Sequence, residues 1–413
     1  MNKSTQKNVA QKNVARMVAA PVIAALMLVG AAGTASAAVA WIAANSTATG
    51  DQDNAAVAAV RNGWTAVVWE DDRDDATPTD PVHSDVWVRL FKDGVSRYEK
   101  KLSTSGTGNW RHVQPDVAVH ENGTAVVVWA DDGEGNGFYN IQVRELNTSG
   151  TVTGSARANA NTDGQQLNPA VAADPDGTGF AVVWEDKQTS TNATVRVAGF
   201  ASVTSKTYEA QVHAAGGTHQ RPDVAMGAAG NAIVVWDEDG DGNAFFNIGR
   251  KILTPSGGVK VAQGAANASG DGQQRRPVVA ANFNGDHTVA WETDHTGVAQ
   301  VGVRSFAAGG AARTAVDTVV AGTDPQIGID DQLNVVVSSV EAQDVVTQGL
   351  NADGTVTGRL PRQATVSTAT GRQDEPALGV DAWGQITVVY TDDNDGNGFD
   401  QIYLGTGLVN STW

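Results

Sequence analysis

The chain of 413 residues contains no cysteine, only 10 lysines and 6% aromatic residues. The absence of cysteine excludes disulfides, thiolate metal sites and a cysteine nucleophile. Positive charge is also scarce, because lysine and arginine total 28 against 46 aspartates and glutamates, which gives a net charge of −18. A surface of this sign repels a phosphate backbone, so we expect no nucleic acid as a partner.

The first 37 residues differ from the rest of the chain. Four basic residues precede an apolar run over residues 17–33: Lys3, Lys7, Lys12 and Arg16. The small residues 35–37 follow, and this order is typical of a cleavable secretory signal peptide. We therefore expect residues 1–37 to be removed on export. The secreted, extracellular chain 38–413 then has no membrane span and a net charge of 24 − 46 = −22. An uncleaved anchor is disfavoured because the apolar run is short and contains Pro21.

A unit of about fifty residues recurs along the remaining chain. Its anchor is Pro-x-Val-Ala followed by Val-Val-Trp, as at residues 115–118 and 127–129. Seven copies begin near residues 55, 115, 169, 222, 277, 325 and 376, at spacings of 60, 54, 53, 55, 48 and 51. A fixed period indicates a repeat architecture, so we expect residues 38–413 to form a single domain.

Each copy contains four short segments of alternating polarity, separated by turn residues such as Asn122-Gly123 and Ser149-Gly150. Such segments predict β-strands, and a four-stranded unit repeated at this length is typical of a propeller blade. The predicted fold class is all-β, a seven-bladed β-propeller of four-stranded antiparallel blades. A stacked β-solenoid is the alternative.

Closure of the ring favours the propeller. The seventh copy has only three predicted strands, whereas residues 42–52 resemble the fourth strand and following turn of the second copy at residues 156–166. We therefore predict that a strand within residues 41–50 completes the seventh blade and pairs two otherwise open sheet edges. A linear solenoid needs no such permutation.

Tryptophan occurs in two settings. Five copies carry it at the end of Val-Val-Trp or its equivalent, where we expect it to pack between neighbouring blades. The others are candidates for exposed aromatic contacts: Trp41, Trp64, Trp87, Trp110, Trp383 and Trp413.

Three predicted turns between second and third strands carry oxygen-bearing side chains at alternate positions. Calcium prefers six to eight oxygen ligands, so these turns predict calcium as a cofactor. The candidate metal ligands are Asp132, Glu134, Asn136, Asp239, Asp241, Asn243, Asp393, Asp395 and Asn397. A plain hairpin with Asn-Gly or Asp-Gly is the alternative, since no bidentate glutamate follows at the twelfth position.

A second recurring pattern, Gly-x-Gln, lies just before the anchor of several copies. In a propeller this loop opens on the same face as the acidic turn, so the two sets predict one polar rim. The candidate ligand-binding residues of this rim are Asp132, Asn136, Gln166, Asp239, Asn243, Gln274, Asp393, Asn397 and Gln373.

No motif in the sequence indicates catalysis. The seven histidines are scattered without a zinc-binding spacing, and neither a Gly-x-Ser-x-Gly elbow nor a phosphate loop is present. Carboxylate pairs recur in several copies, whereas catalysis needs one site unlike the others. We therefore predict that the chain is not an enzyme, and the irregular segment 71–84 is where a unique site would lie.

With these motifs, residues 41–409 resemble a widespread secreted bacterial propeller repeat that is found in surface-associated proteins and is similar in architecture to propeller lectins. The resemblance implies the fold and leaves the ligand open. The sixth copy departs from the pattern, with Ser338 in place of tryptophan and Gly322 in place of glutamine.

Three functions stay open at this point. The first is a secreted, non-catalytic, lectin-like protein that binds a glycan or cell-surface polysaccharide through repeated sites, so that avidity offsets weak single contacts. The second is a protein-binding scaffold or targeting subunit of a secreted adhesin or toxin complex, with a secreted protein as partner. The third is a glycan-active hydrolase.

Overall fold

The computed structural model describes residues 40–74, 83–104, 111–187, 193–355, 363–364, 373–393 and 399–406. Within these ranges the chain forms seven four-stranded antiparallel sheets and one 3₁₀ turn at Ala228–Gly230. The predicted fold class, an all-β propeller of seven blades, is confirmed. Within these ranges there is no helix with the length and hydrophobicity that a bilayer-spanning segment needs. The predicted signal peptide, Asp395 and Asn397 lie outside the described residues.

The chain starts with β1 (Ala40–Ala43). Blade 1 contains β2 (Gln52–Ala59), β3 (Trp64–Asp71), β4 (Asp85–Lys92) and β5 (Val95–Lys101). Blade 2 contains β6 (His112–Val119), β7 (Ala125–Asp131), β8 (Asn140–Leu146) and β9 (Val152–Arg157). Blade 3 contains β10 (Gln165–Ala173), β11 (Phe180–Lys187), β12 (Thr194–Ser202) and β13 (Ser205–Gln211).

Blade 4 contains β14 (Thr218–Gly227), β15 (Asn231–Asp239), β16 (Asn247–Leu253) and β17 (Val259–Ala265). Blade 5 contains β18 (Gln274–Ala281), β19 (His287–Thr293), β20 (Gln300–Phe306) and β21 (Thr318–Ala321). Blade 6 contains β22 (Thr323–Ile329), β23 (Asn334–Glu341), β24 (Asp344–Asn351) and β25 (Gln363–Ala364). Blade 7 contains β26 (Gln373–Val380), β27 (Ile386–Asp392) and β28 (Gln401–Thr406), and β1 is its fourth strand.

The N-terminal strand closes the ring as predicted. β1 pairs antiparallel with β28, with Ala43 opposite Tyr403. Just beyond the strand, the side-chain oxygen of Asn45 accepts a hydrogen bond from the Ile402 amide at 3.2 Å. Both ends of the chain therefore contribute to blade 7, and the sheet edge that β28 would otherwise expose is paired.

The core consists of clusters that each join two adjacent blades. Trp184 of blade 3 packs with Val126 and Val128 of blade 2, and Trp236 of blade 4 packs with Val183 of blade 3. The five tryptophans at this position are at most 1% exposed: Trp69, Trp129, Trp184, Trp236 and Trp291. The prediction that they pack between blades is confirmed.

Every innermost strand contains a bulge opposite this position, which Ser339 occupies in blade 6 and Tyr390 in blade 7. Ser338, which the sequence suggested in place of tryptophan, is one residue earlier and pairs with Gln326. In β10, Leu167 pairs with Glu185 and Ala170 pairs with Val183, so that two residues, Asn168 and Pro169, lie opposite Trp184 alone. Proline is tolerated as the second bulge residue because no ladder hydrogen bond is required there. The first bulge residue has a positive φ in all seven blades: Asn54 49°, Gln114 56°, Asn168 49°, Arg221 48°, Arg276 52°, Asp324 49° and Glu375 47°.

In six of the seven blades, the backbone amide of the positive-φ bulge residue donates to a side chain of the preceding blade. We call this ring of bonds the inner belt. It is present at six blade junctions of the described residues: Gln114 N to Glu70 Oε1 (2.8 Å), Asn168 N to Gln114 Oε1 (2.8 Å), Arg221 N to Glu185 Oε1 (2.7 Å), Arg276 N to Asp237 Oδ1 (2.7 Å), Asp324 N to Glu292 Oε1 (3.0 Å) and Asn54 N to Glu375 Oε2 (2.8 Å).

A second ring of hydrogen bonds between adjacent blades, which we call the outer belt, uses side chains as donors and backbone carbonyls as acceptors. Cationic side chains of blades 1 to 5 donate to backbone carbonyls of the preceding blade, just after its fourth strand. The pairs are Arg89 with Ala44, Arg144 with Leu102, Lys206 with Ala158, Lys251 with Val212 and Arg304 with Ala266. Five of the 21 lysines and arginines within residues 52–321 therefore link adjacent blades in this belt.

Replacing Glu185 tests the inner belt. Glu185→Ala removes the acceptor of the Arg221 amide, and an unpaired buried group of this kind costs about 1–3 kcal/mol. Chemical denaturation should show a loss of this size, and Glu185→Gln, which keeps an acceptor oxygen, should lose clearly less. Glu134→Ala in an exposed turn is the control and should leave stability unchanged. Equal stability of Glu185→Ala and the wild type would contradict a stabilising role of the belt.

Candidate functional site

The innermost strands surround a channel whose two ends differ. At the end where these strands begin, a cavity of about 650 Å³ is lined by the seven positive-φ residues and the residues that follow them. We call this cavity the mouth. The opposite end holds about 300 Å³ and is lined mainly by small and apolar side chains, including Ala118 and Gly379. A concave site of several hundred Å³ with convergent polar groups has the usual dimensions of a ligand site, so the mouth is the candidate.

Both arginines that line the mouth are paired with carboxylates. Arg221 lies 2.7 Å from Asp237, and Arg276 lies 3.3 Å from Glu292 and 3.0 Å from Asp324. These pairs occupy the side of the mouth formed by blades 4 to 6. The side formed by blades 7 and 1 carries carboxyl groups instead, so one junction of the ring is chemically unlike the others.

Three carboxyl groups form this acidic corner: Asp53, Glu70 and Glu375. Asp53 and Glu70 are direct cross-strand partners in blade 1, which places their side chains on the same side of the sheet. Glu375 lies in the mouth lining, is exposed, and accepts the Asn54 amide. Asp53, next to Asn54, is half-buried. Glu70 is buried, and its Oε1 atom accepts a hydrogen bond from the Gln114 amide.

Burial and repulsion between like charges raise the pKa values of Asp53 and Glu70 in this corner. Burial raises the pKa of Asp53 to about 8, and the charges of Glu70 and Glu375 add to this. Burial also raises the pKa of Glu70 to about 7, although the Gln114 amide opposes the change. Asp53 therefore stays protonated near neutral pH while the charge of Glu375 acts on it, and a protonated carboxyl group near an ionised one is the arrangement that acid–base catalysis requires.

Two further carboxyl groups line the channel below the mouth. Oδ2 of Asp116 accepts the Val171 amide and Oδ2 of Asp223 accepts the Val279 amide, both at 2.7 Å, so each links its blade to the next. Burial raises the pKa of Asp116 to about 6 and that of Asp223 to about 7, where the charge of Asp116 contributes as well. These carboxyl groups hold their protons more tightly in the folded chain than in the unfolded chain.

Folding should consequently take up protons between the unfolded pKa values, near 4, and the raised folded values. Because the unfolded chain binds fewer protons in this window, the free energy of unfolding falls as pH rises through it. We therefore expect the protein to be less stable near pH 7 than near pH 4 as far as these two carboxyl groups are concerned. Thermal denaturation of Asp116→Asn/Asp223→Asn should show a weaker pH dependence than the wild type. An unchanged slope in this double variant would contradict the assignment.

The acidic turns predicted from the sequence are closed by their own hydrogen bonds. Both carboxylate oxygens of Asp132 accept turn amides, from Asn136 at 2.9 Å and Gly137 at 3.0 Å. Oδ2 of Asp239 accepts the amide of Ala244 at 3.2 Å. The other amide and acidic side chains of these two turns bond to each other: Asn136 to Glu134 and Asn243 to Asp241. This geometry fits the hairpin alternative.

The predicted calcium ligands of the third turn are only partly described. Asp393 is half-buried there, and Asp395 and Asn397 lie outside the described residues. Within the described ranges, no group of three or more histidine, aspartate or glutamate side chains is arranged to hold a metal ion. Calcium binding stays a prediction.

The predicted rim glutamines are buried rather than exposed. Gln166 and Gln373 are 0% exposed and Gln274 is 2% exposed. Gln166 donates to the Asp163 carbonyl and Gln274 to the Asp271 carbonyl, in each case three residues earlier, so these side chains close their loops. The Gly-x-Gln recurrence thus marks a constraint of the architecture, and these residues are not placed to contact a ligand at the surface.

In blades 1 and 4, the two acidic residues that follow the tryptophan have different partners, which the sequence did not distinguish. The first turns towards the channel, as Glu70 does, and the second turns back to its own tryptophan, as when Asp71 accepts the Trp69 indole N–H at 2.8 Å. Asp53 and the bulge residues were missed altogether. Their only sequence signal is a polar residue immediately before each anchor position.

The sequence matches no protein-family model and no curated protein. Among solved structures, the polysaccharide lyase Uly1 matches with a TM-score of 0.54 and 10% identity over 91% of each chain. A protein of unknown function from Dyadobacter fermentans matches with a TM-score of 0.52 and 13% identity, over 89% of this chain and 97% of that one. A prolyl endopeptidase matches with a TM-score of 0.50 and 11% identity, over 86% of this chain and 48% of that one. At these identities the likeness shows the fold alone.

Enzymes are therefore built on this fold, and one of them acts on a polysaccharide. The prediction that the chain is not an enzyme was wrong. It rested on the equivalence of the blades, and the acidic corner shows that one junction differs chemically from the rest. The segment 71–84, where a unique site was expected, is described only up to residue 74 and from residue 83 onward.

Proposed function

We propose that this protein hydrolyses glycosidic bonds of a polysaccharide at the mouth of the propeller. The observation that carries the proposal is the acidic corner, where Asp53, whose pKa is raised, lies opposite Glu70 and next to Asn54, which with Glu375 lines the mouth. Glycoside hydrolysis needs two carboxyl groups, one protonated and one ionised, on either side of the scissile bond. The fold shared with a polysaccharide lyase supports a glycan as substrate.

Each group of the corner has a distinct role in this proposal. Asp53 donates its proton to the departing glycosidic oxygen, which avoids the release of an unstable alkoxide. Glu375, exposed in the mouth, is the ionised partner that acts on the anomeric carbon or on the attacking water. Glu70 is a positioning residue, because its negative charge helps to keep the proton on Asp53.

The charge of the mouth also selects the substrate. Among the described residues that line the mouth, the only basic side chains are Arg221 and Arg276 of blades 4 and 5, and both are paired to carboxylates. The lining formed by blades 7 and 1 offers carboxyl groups and no basic side chain to a uronate. Hydroxyl groups of a neutral sugar can donate to its carboxylates. We therefore favour a neutral polysaccharide. We also propose that the protein acts outside the cell, because residues 1–37 have the pattern of a signal peptide.

Release of reducing sugar from a panel of polysaccharides tests the proposal. Asp53→Asn and Glu375→Gln should each lower kcat by about 10²–10⁴-fold, because each removes a group that acts in the transition state. Glu70→Gln should keep activity but move the alkaline limb of the pH profile, expected near the Asp53 pKa of about 8, to lower pH. Asp93→Asn, at the opposite end of blade 1, is the matched control and should behave as the wild type.

Two results would sink this proposal. One is the absence of reducing-sugar release by the wild type from any polysaccharide of the panel. The other is activity that survives both Asp53→Asn and Glu375→Gln while the control variant confirms that the proteins are folded.

A further inference from the structure

Two phenylalanines are exposed on the face that carries the mouth. Phe138 of blade 2 and Phe245 of blade 4 occupy equivalent positions, each immediately after an acidic turn. Their side chains are 51% and 54% exposed. Scattered exposed apolar residues need no explanation, but the same ring at the same position in two blades does.

The backbone on both sides of each ring is fixed by one glutamine from the next loop. Gln165 donates to the Gly137 carbonyl at 2.6 Å and accepts the Tyr139 amide at 3.2 Å, which spans Phe138. Gln273 spans Phe245 in the same way, with bonds to Ala244 at 3.0 Å and Phe246 at 3.2 Å.

The turn fixes the phenylalanine itself. The amide of Phe138 donates to Asn136 Oδ1 at 2.8 Å, and the amide of Phe245 donates to Asn243 Oδ1 at 2.7 Å. Three successive residues are thereby held in each blade while the ring between them faces solvent. A ring presented on a rigid backbone loses little entropy when it binds a ligand.

An exposed aromatic face flanked by carboxylate and amide groups is suited to a sugar ring. The apolar C–H face of a sugar can lie on the electron-rich face of phenylalanine, and its hydroxyl groups can donate to the oxygens of Glu134 and Asp241 beside the two rings. Phe399 takes the corresponding position in blade 7, where Asp51 accepts the Asp400 amide at 2.8 Å in place of the glutamine.

We propose that Phe138 and Phe245 are stacking platforms that bind the sugar units of a neutral, polymeric glycan on the mouth face. This inference rests on the proposed function and deepens it, because it assigns a long-chain substrate to the site. A glycan chain that contacts both blades gains affinity through avidity. A short oligosaccharide bound in the mouth does not gain this affinity. The acidic turns beside both platforms repel a polyuronate.

Affinity electrophoresis tests the platforms without relying on turnover. Asp53→Asn protein is run in native gels that contain xylan, arabinan, mixed-linkage β-glucan or polygalacturonate. At least one neutral polymer should retard it, and polygalacturonate should not. Adding Phe138→Ala and Phe245→Ala should weaken this binding by about tenfold or more, as for truncated aromatic anchors, whereas Phe138→Trp with Phe245→Trp should preserve it.

Trp383→Ala is the matched control. Trp383 is 63% exposed and lies in the turn between β26 and β27, on the opposite face, so its loss should not alter retardation. The inference is overturned if no neutral polymer retards the parent protein, if the double alanine variant binds as the parent does, or if Trp383→Ala weakens binding equally. All variants should keep the parent's melting temperature because the replaced rings are exposed.

Turnover of the active chain separates this inference from the proposed function. Loss of polymer binding in the double alanine variant, with no hydrolysis by the wild type, would support the platforms and overturn the hydrolase. Hydrolysis of the polymer by the double alanine variant with unchanged KM would support the hydrolase and overturn the platforms. If both are correct, KM for the polymer rises and kcat on a short oligosaccharide stays constant.

Discussion

The inner belt is the interaction on which the rest of this propeller depends. A non-glycine residue in the left-handed region costs of the order of 1–3 kcal/mol, and this chain places one at the same point of every innermost strand. The bulge directs the amide of that residue away from its own sheet and towards the preceding blade. Charge-assisted hydrogen bonds to carboxylates, as from Arg221 to Glu185, offset the strain and fix the distance between blades.

Several features of the repeat follow from this bond. Proline suits the second bulge position because it has no N–H to satisfy, and an acidic residue follows tryptophan because the carboxylate must reach the next blade. The polar residue before the proline necessarily lies at the mouth. The ring of polar side chains that makes the mouth a candidate site is thus a by-product of joining the blades.

The acidic corner arises where the belt changes its chemistry. At four junctions the residue after the aromatic position supplies the acceptor. A bulge residue does so at two others: the neutral Gln114 between blades 2 and 3, and the carboxylate Glu375 between blades 7 and 1. Asp53 and Glu70 face each other across the adjacent strand pair, and no arginine of the belt lies between them. A few side-chain differences therefore make the junction of blades 7 and 1 chemically different from the other junctions. The backbone of the strands stays the same, and no insertion in them is needed.

The periodic features of this protein can be read from its sequence. The spacing of Pro-x-Val-Ala and Val-Val-Trp predicted seven blades, the displaced strand predicted closure by the N-terminus, and the tryptophans were correctly placed between blades, because each depends on local period and polarity. The tertiary structure alone showed which polar residues are used internally. Gln166 and Asp132 appeared free to bind ligands, yet their hydrogen bonds are taken up within loops. Asp53 and Glu375, separated by 322 positions in the sequence (375 − 53), come together only when the ring closes, and no one-dimensional pattern can express that proximity.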